Sequence, residues 1–417
     1  MKRTISALIC ILFVLTMLIG CASTATTQGT ATTAATTAAT TTAKVTEGTT
    51  ASTTTVKEAP KVKFGMIMPA ASTSTRKSYI GNIQYLVEQL GGEFVHQVDT
   101  LTDPEAMITN VEKCISAGCN AIMICPPNDS MLIKVAQLCE EAEVYWSIVW
   151  RNVLDENVRS VLANSNYYCG LACQDDSTVG YDVAKLLAEK GHKNIAIVSL
   201  NKSQTTSQLR EKGIAKAAEE FGLNLVAEAR DLMQADDAAA ATESFLSAYP
   251  ELDCIFIVGS MGENLVGGIM SALEQHDSSG KVKIAMVDFL TGMQNAANAG
   301  VLEVAAGGIH INTPVWAASL PINAVMMGGK LENKQPELKV KFTQVYSAAD
   351  MDNYFKYFEG TIPFYTIEEA KQRIFKFYNS SLTIADLEKL ASTFKLDDTV
   401  ALHSGIETVP GYTGVTK

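Results

Sequence analysis

Several side chains stand directly behind apolar runs, where they could hold a polar molecule. Arg151 follows SIVW at 147–150, and a guanidinium there can donate paired hydrogen bonds to hydroxyls or to a carboxylate. Asp288 follows KIAMV at 283–287, and its carboxylate can accept several donors at once. In GSMGENL, which opens at Gly259, Ser260 or Glu263 could reach the same space. Arg210 lies in TTSQLREKG, where spacing alone fits one charge on a solvated helix face as well as it fits a ligand contact. The chemistry these groups suggest is recognition. There is no Gly-x-Ser-x-Gly elbow, no His-Glu-x-x-His pair, no Walker loop and no Gly-x-Gly-x-x-Gly behind the first apolar run. DTLTDPEA at 99–106 lacks the ligand spacing and central glycine of an EF-hand loop, so its acids read as helix caps and solvated surface. No catalytic residue, metal or cofactor is expected.

The elements that must position these groups alternate. VKFGMIMPA, GGEFVHQV, AIMICPP and YWSIVW read as strands, separated by amphipathic helices beginning near Ser78, Asp103 and Asp129, the last two with Asp at the N-cap. A second series follows in NIAIVSL, NLVAEAR, CIFIVGS, KIAMVD and EVAAGGI. Alternation of this kind predicts an α/β fold of two doubly wound parallel-sheet lobes, with ligands held outside the carboxyl ends of the strands.

The chain opens as an address. Lys2 and Arg3 precede an apolar run from Ile5 to Ile19, too short for a comfortable membrane span, and Leu18-Ile19-Gly20-Cys21 resembles a bacterial lipobox. This predicts a leader over 1–20, lipidation of Cys21, and a Thr- and Ala-rich disordered tether over 21–59 that lacks the large apolar residues of a core. The formal charge of −12 argues against nucleic acid as a partner. Beyond Cys10 and Cys21 seven cysteines remain, an odd number without zinc spacing, and they read as buried free thiols. Only Cys169 and Cys173, four apart on an expected helix, are candidates for redox pairing.

From about Lys61 to Ala348 the order of motifs resembles the ribose-binding type of periplasmic binding protein. AIMICPPNDS resembles that family's strand ends, SIVWRN its strand ending in Asp-Arg, TTSQLREKG its Arg-x-x-Gly loop, and AMVDF its Gly-Phe-Asp. The resemblance implies a sugar-binding lipoprotein component of an ABC transporter, outside the cell membrane, with two lobes joined by three crossings and a monosaccharide trapped between them. Its cuts fall near Asn164, His310 and Val345, giving a first lobe of 60–164 plus 310–344, a second of 165–309 plus 345–403, and a loosely ordered tail over 404–417. It makes Arg151, Arg210 and Asp288 ligand contacts, with weaker polar contacts at Asn164 and His310. Trp150 stands where the family often carries aspartate, and Arg76, with Thr75, where it usually offers a pair of aromatic rings. Trp150 and Phe289 could replace that platform, and Arg76, Arg151 and Arg210 together suggest an acidic ligand as an alternative. The partners implied are a permease and, through Cys21, the membrane. A lipoprotein that senses a ligand for a membrane receptor, or an exported α/β enzyme, would share this outline, and pull-down partners or turnover would separate them. Beyond Ala348, aromatics around Tyr354 and helices from Thr366 and Thr383 are expected to brace the second lobe.

Overall fold

Strands covered on both faces by helices must be apolar along their whole length, and the continuous apolar runs of this chain become two such sheets. The computed structural model describes residues 59–202, 204–260 and 262–414, so the leader, Cys21 and all but the end of the tether lie outside the described residues. The first series is β1 (Lys63–Met68), α1 (Ser74–Gln89), β2 (Glu93–Val98), α2 (Pro104–Ser116), β3 (Ala121–Ile124), α3 (Leu132–Glu141), β4 (Tyr145–Val149), α4 (Glu156–Ala163) and β5 (Tyr168–Gln174). The second is α5 (Asp176–Glu189), β6 (Asn194–Ser199), α6 (Thr205–Phe221), β7 (Asn224–Arg230), α7 (Ala235–Ala248), β8 (Cys254–Ile257), α8 (Leu265–Gln275), β9 (Lys283–Val287), α9 (Met293–Asn298) and β10 (Leu302–Gly307). α10 (Ile309–Met327), β11 (Glu337–Val340), β12 (Thr343–Val345), α11 (Ala348–Phe358), α12 (Ile367–Arg373), α13 (Ile384–Thr393) and α14 (Leu396–His403) complete the described chain.

The sheets run β2-β1-β3-β4-β5-β11 and β7-β6-β8-β9-β10-β12. Five strands of each repeat one doubly wound order, so the internal repetition expected from the sequence is a repetition of topology. All pairings are parallel except that of β12 with β10. The chain passes between the sheets three times. The first passage is not at Asn164, because β5 still pairs with β4, and it falls after Gln174. The second lies at Gly307 and Gly308, beside His310. The third lies between Val340 and Thr343, just ahead of Val345. Gly308 has φ 75°, and a Cβ there would come within 2.9 Å of the Tyr354 ring, so both backbone sign and space call for glycine at that passage.

Local corrections follow from side-chain partners. Asp103 caps α2 by accepting from the backbone N–H groups of Glu105 and Ala106, whereas Asp129 caps no helix and accepts instead from Leu154 N–H and Asp155 N–H. Cys169 and Cys173 lie on strand β5, not on a helix. A register shift there, with Gly170 at φ 112° against the Pro336 carbonyl, turns the two thiols to different sides of the sheet, in separate apolar clusters. All seven described cysteines are buried and unbridged. The thiols that do lie together are Cys114 and Cys119, which both face Gly65.

The C-terminal segment braces more than the second lobe. α11 packs on α9 and β12, but α12 lies on α1, and α13 on α10 and β11. α10 is apolar nearly all round, which requires cover on every side. Phe364 and Phe394 supply part of that cover, with ring centroids 5.3 and 5.9 Å from that of Trp316. The tail is anchored too, since Tyr412 is buried with its ring 5.6 Å from that of Tyr85. Two buried asparagines fix the register of this cover. Asn82 on α1 accepts from Phe364 N–H at 2.6 Å. Asn323 on α10 donates to Ile374 O and accepts from Lys376 N–H, both at 2.7 Å. Asn323→Ala leaves two backbone groups unmatched, and at about 1–3 kcal/mol for each we expect a loss of about 2–6 kcal/mol in denaturant unfolding.

Candidate functional site

The carboxyl ends of the two sheets carry the same backbone device. β4 ends at Val149, and Trp150 turns out of the strand with φ 60° while its N–H bonds Ala172 O of β5 at 2.9 Å. β9 ends at Val287, and Asp288 turns with φ 74° while its N–H bonds Ala306 O of β10 at 2.7 Å. A left-handed conformation is tolerable for aspartate but costs a bulky residue such as Trp about 1–3 kcal/mol. Such strain marks a place where a side chain is aimed.

On the first sheet's side, the half-buried Trp150 ring stands edge-on to Tyr79 of α1 and to His310 of α10, both at 5.3 Å between centroids, and its N–H points to Ile309 O at 3.4 Å. Burial raises the Tyr79 phenol to about 12, against the opposing pull of Arg76, so it is a neutral donor at ordinary pH. Arg151 is exposed and donates to Trp150 O at 3.3 Å. Arg76, in the first turn of α1, donates to Ser72 Oγ at 3.0 Å. Among the described residues neither arginine makes an ion pair.

On the second sheet's side, Arg210 is 4% exposed. Its Nε donates to Asp176 Oδ1 at 2.8 Å, and its Nη1 donates to Val258 O at 2.9 Å and to Asp288 Oδ2 at 3.1 Å. The guanidinium also stands 5.6 Å from the centre of the Phe342 ring. Burial alone would lower its pKa, but Asp288 and Asp176 outweigh that and raise it. Burial raises the Asp176 carboxyl against the pull of Arg210. Arg210 is thus an internal cation that orients Asp288 by one oxygen and leaves the other for an incoming donor. Its charge is already met by two carboxylates, which weakens the three-arginine argument for an acidic ligand.

His310 stands where the two sides meet. It is the second residue of α10 and is exposed. Desolvation holds its imidazole below the ordinary value, and Asp288, Arg210, Glu359 and Arg151 all act on it electrostatically. Ser260 sits at the adjoining strand end, with its Oγ accepting from Gly262 N–H at 2.9 Å, and Phe289 packs edge-on to Tyr354 at 4.5 Å.

The structure therefore gathers Trp150, Arg151, Arg210, Asp288 and His310, with Ser260 and Arg76 near the margins. Asn164 is not among them. It ends α4 at the amino-terminal side of β5, exposed, with its amide on Ser160 O at 2.8 Å. Tyr79, Asp176 and Phe342 belong to the group and have no motif of their own. Asp176 could have been suspected as the second acid of an Asp-Asp pair, one residue inside the Asp175 cap. A separate cavity of about 620 Å³ between α8 and α9 shares none of these residues.

The sequence of the periplasmic binding protein domain family matches residues 64–326, from β1 through α10 and well over half the chain. The chain belongs to the periplasmic binding protein family. It is accordingly a binding protein rather than an enzyme. No curated protein matches its sequence. Its fold is shared with an ABC transporter periplasmic solute-binding protein from Actinobacillus succinogenes 130z with bound D-allose, at 21% identity and TM-score 0.55 over 70% of this chain and 100% of that one. A periplasmic ribose ABC transporter protein from Conexibacter woesei is similar at 14% identity and TM-score 0.59, over 72% and 96%. An arabinose-binding protein from Geobacillus stearothermophilus is similar at 17% identity and TM-score 0.56, over 71% and 99%. Nearly the whole of each neighbour is contained in this periplasmic binding protein, which is longer than all three.

Removing the guanidinium strands the buried Asp176 carboxylate, so Arg210→Ala is expected to lower unfolding free energy by about 3–5 kcal/mol. Arg151→Ala, at an exposed site, should change it by no more than about 0.5 kcal/mol. Urea unfolding of the two variants checks the contrast, and similar small losses would contradict the internal role given to Arg210.

Proposed function

We propose that this protein is an exported, lipid-anchored solute-binding protein that takes a monosaccharide between its two sheets and delivers it to an ABC transporter permease. One observation carries the reading: a strained aromatic residue, Trp150, and a carboxylate, Asp288, occupy equivalent turns of the two sheets with His310 between them. A sugar ring offers apolar C–H faces to aromatic rings, and hydroxyls that donate to carboxylates and accept from guanidinium groups. Trp150 and Tyr79 supply the first surface. Asp288, positioned by Arg210, and the unpaired Arg151 supply the second kind of contact, with Arg76 at the margin. The D-allose, ribose and arabinose named for structural neighbours are consistent with this class of ligand.

Delivery fits the other end of the chain. A lipid on Cys21 would hold the protein at the membrane, and the Thr- and Ala-rich stretch after it would let the binding unit stand off while keeping its local concentration high.

A thermal-shift screen of the chain without its leader tests the proposal, using pentoses, hexoses, polyols, nucleosides, sugar acids and amino acids. A solute at a hundredfold excess over its Kd stabilises the folded state by about 2.7 kcal/mol. We expect a clear rise in melting temperature with a pentose or hexose, abolished by Asp288→Ala. A response confined to amino acids or nucleosides, or none at all, would overturn the sugar reading.

A further inference from the structure

α11 lies in the segment beyond the family match, yet it reaches both halves of the candidate site. Its middle packs on the second sheet's side. Tyr354 meets Phe289, the residue after Asp288, edge-on at 4.5 Å, and lies over Gly308, two residues before His310. Its end meets the first sheet's side. Phe358 O accepts from Ser78 Oγ, and Glu359 Oε1 accepts from Thr75 Oγ1 at 2.9 Å. Thr75 and Ser78 lie in the opening turns of α1, next to Tyr79, whose ring leans on Trp150.

Glu359 is half-buried, and its position is unfavourable for an acid. It is the C-cap of α11, where the helix dipole presents negative charge and a cation would be stabilising. Among the described residues it makes no ion pair, and Thr75 engages one of its two oxygens. His310 senses it electrostatically, together with Asp288 and Arg151. An uncompensated carboxylate fixed between the two sets of site residues is placed to meet a donor from outside the protein.

We infer that the C-terminal segment supplies one wall of the ligand site, with Glu359 as a ligand-contacting carboxylate that accepts from a hydroxyl or amino group of the solute and disfavours acidic sugars. The inference rests on the proposed function for the ligand class, but not for the place of Glu359. With Asp288 on the opposite side, the solute is gripped by acceptors from two directions, and Arg151 remains as the exposed donor.

Glu359→Gln tests this in the full chain, because the amide keeps an acceptor for Thr75 and should leave the melting temperature of the free protein unchanged. One arm is independent of any ligand. The chain has five histidines, His310→Asn assigns the His310 signal in an NMR titration, and loss of the Glu359 charge should lower the imidazole pKa. The second arm measures affinity for the sugar that binds wild type best. A hydrogen bond to a charged acceptor leads us to expect a loss of about 10–100-fold, with a smaller preference for glucose over glucuronate. An unchanged His310 titration overturns the inference, as does unchanged affinity for a sugar that wild type binds. If wild type binds no sugar, the monosaccharide reading fails and the His310 titration alone decides the place of Glu359.

Discussion

A guanidinium shut away from water must have its charge and its donors met by the protein, and Arg210 meets that requirement with parts drawn from all over the fold. Asp176 comes from the first passage between the sheets, Phe342 from the third, Val258 O from the end of β8, and Asp288 from the end of β9. The interaction that satisfies a buried cation therefore also ties two of the three inter-sheet passages to the carboxylate at the end of β9. Loss of one partner leaves the others buried without compensation, a far larger penalty than the loss of a surface pair. Asp288 is well placed because Arg210 holds it.

The two sheets solve one problem twice. A chain leaving the fourth strand of a doubly wound sheet must turn away at the edge where ligands bind, and both Trp150 and Asp288 do so in the left-handed region with the N–H anchored to the next strand. The side chains differ, so the repeat of backbone presents a ring at one turn and a carboxylate at the other. α10 starts between them and places His310 at the junction, while its apolar body demands the cover that α13 and the Phe364 cluster provide. The same C-terminal segment that completes the core brings Glu359 to Thr75 at the start of α1.

Much of this was legible in the sequence where local physics is sufficient. Long apolar runs gave nine of the strands, and Thr366 and Thr383, each three residues ahead of an acid, marked the starts of α12 and α13 through capping boxes. β5 escaped because Gly170 interrupts its pattern with a bulge, and that error moved the first inter-sheet passage to Asn164 and misplaced Cys169 and Cys173. β11 and β12 are too short to show a period. Asp129 looked like a cap because aspartate before an apolar run usually is one, but it serves a distant loop. In the candidate site, Arg151 and Asp288 stood out by their place behind strands and Arg210 only through the resemblance of its Arg-x-x-Gly setting, whereas the burial of Arg210, the roles of Asp176 and Phe342, and the approach of Glu359 depend on contacts between residues far apart in sequence, which no local spacing encodes.

The most direct test of the account uses its three tryptophans. Trp146 and Trp316 are fully buried, and Trp150 alone is half-buried. Iodide quenching of tryptophan fluorescence should therefore report on Trp150 and disappear in Trp150→Phe. If the solute lies between Trp150 and Asp288, saturating it with a sugar that binds by calorimetry should protect that emission from iodide. A bound sugar that leaves the quenching unchanged would place the binding site elsewhere and contradict the account.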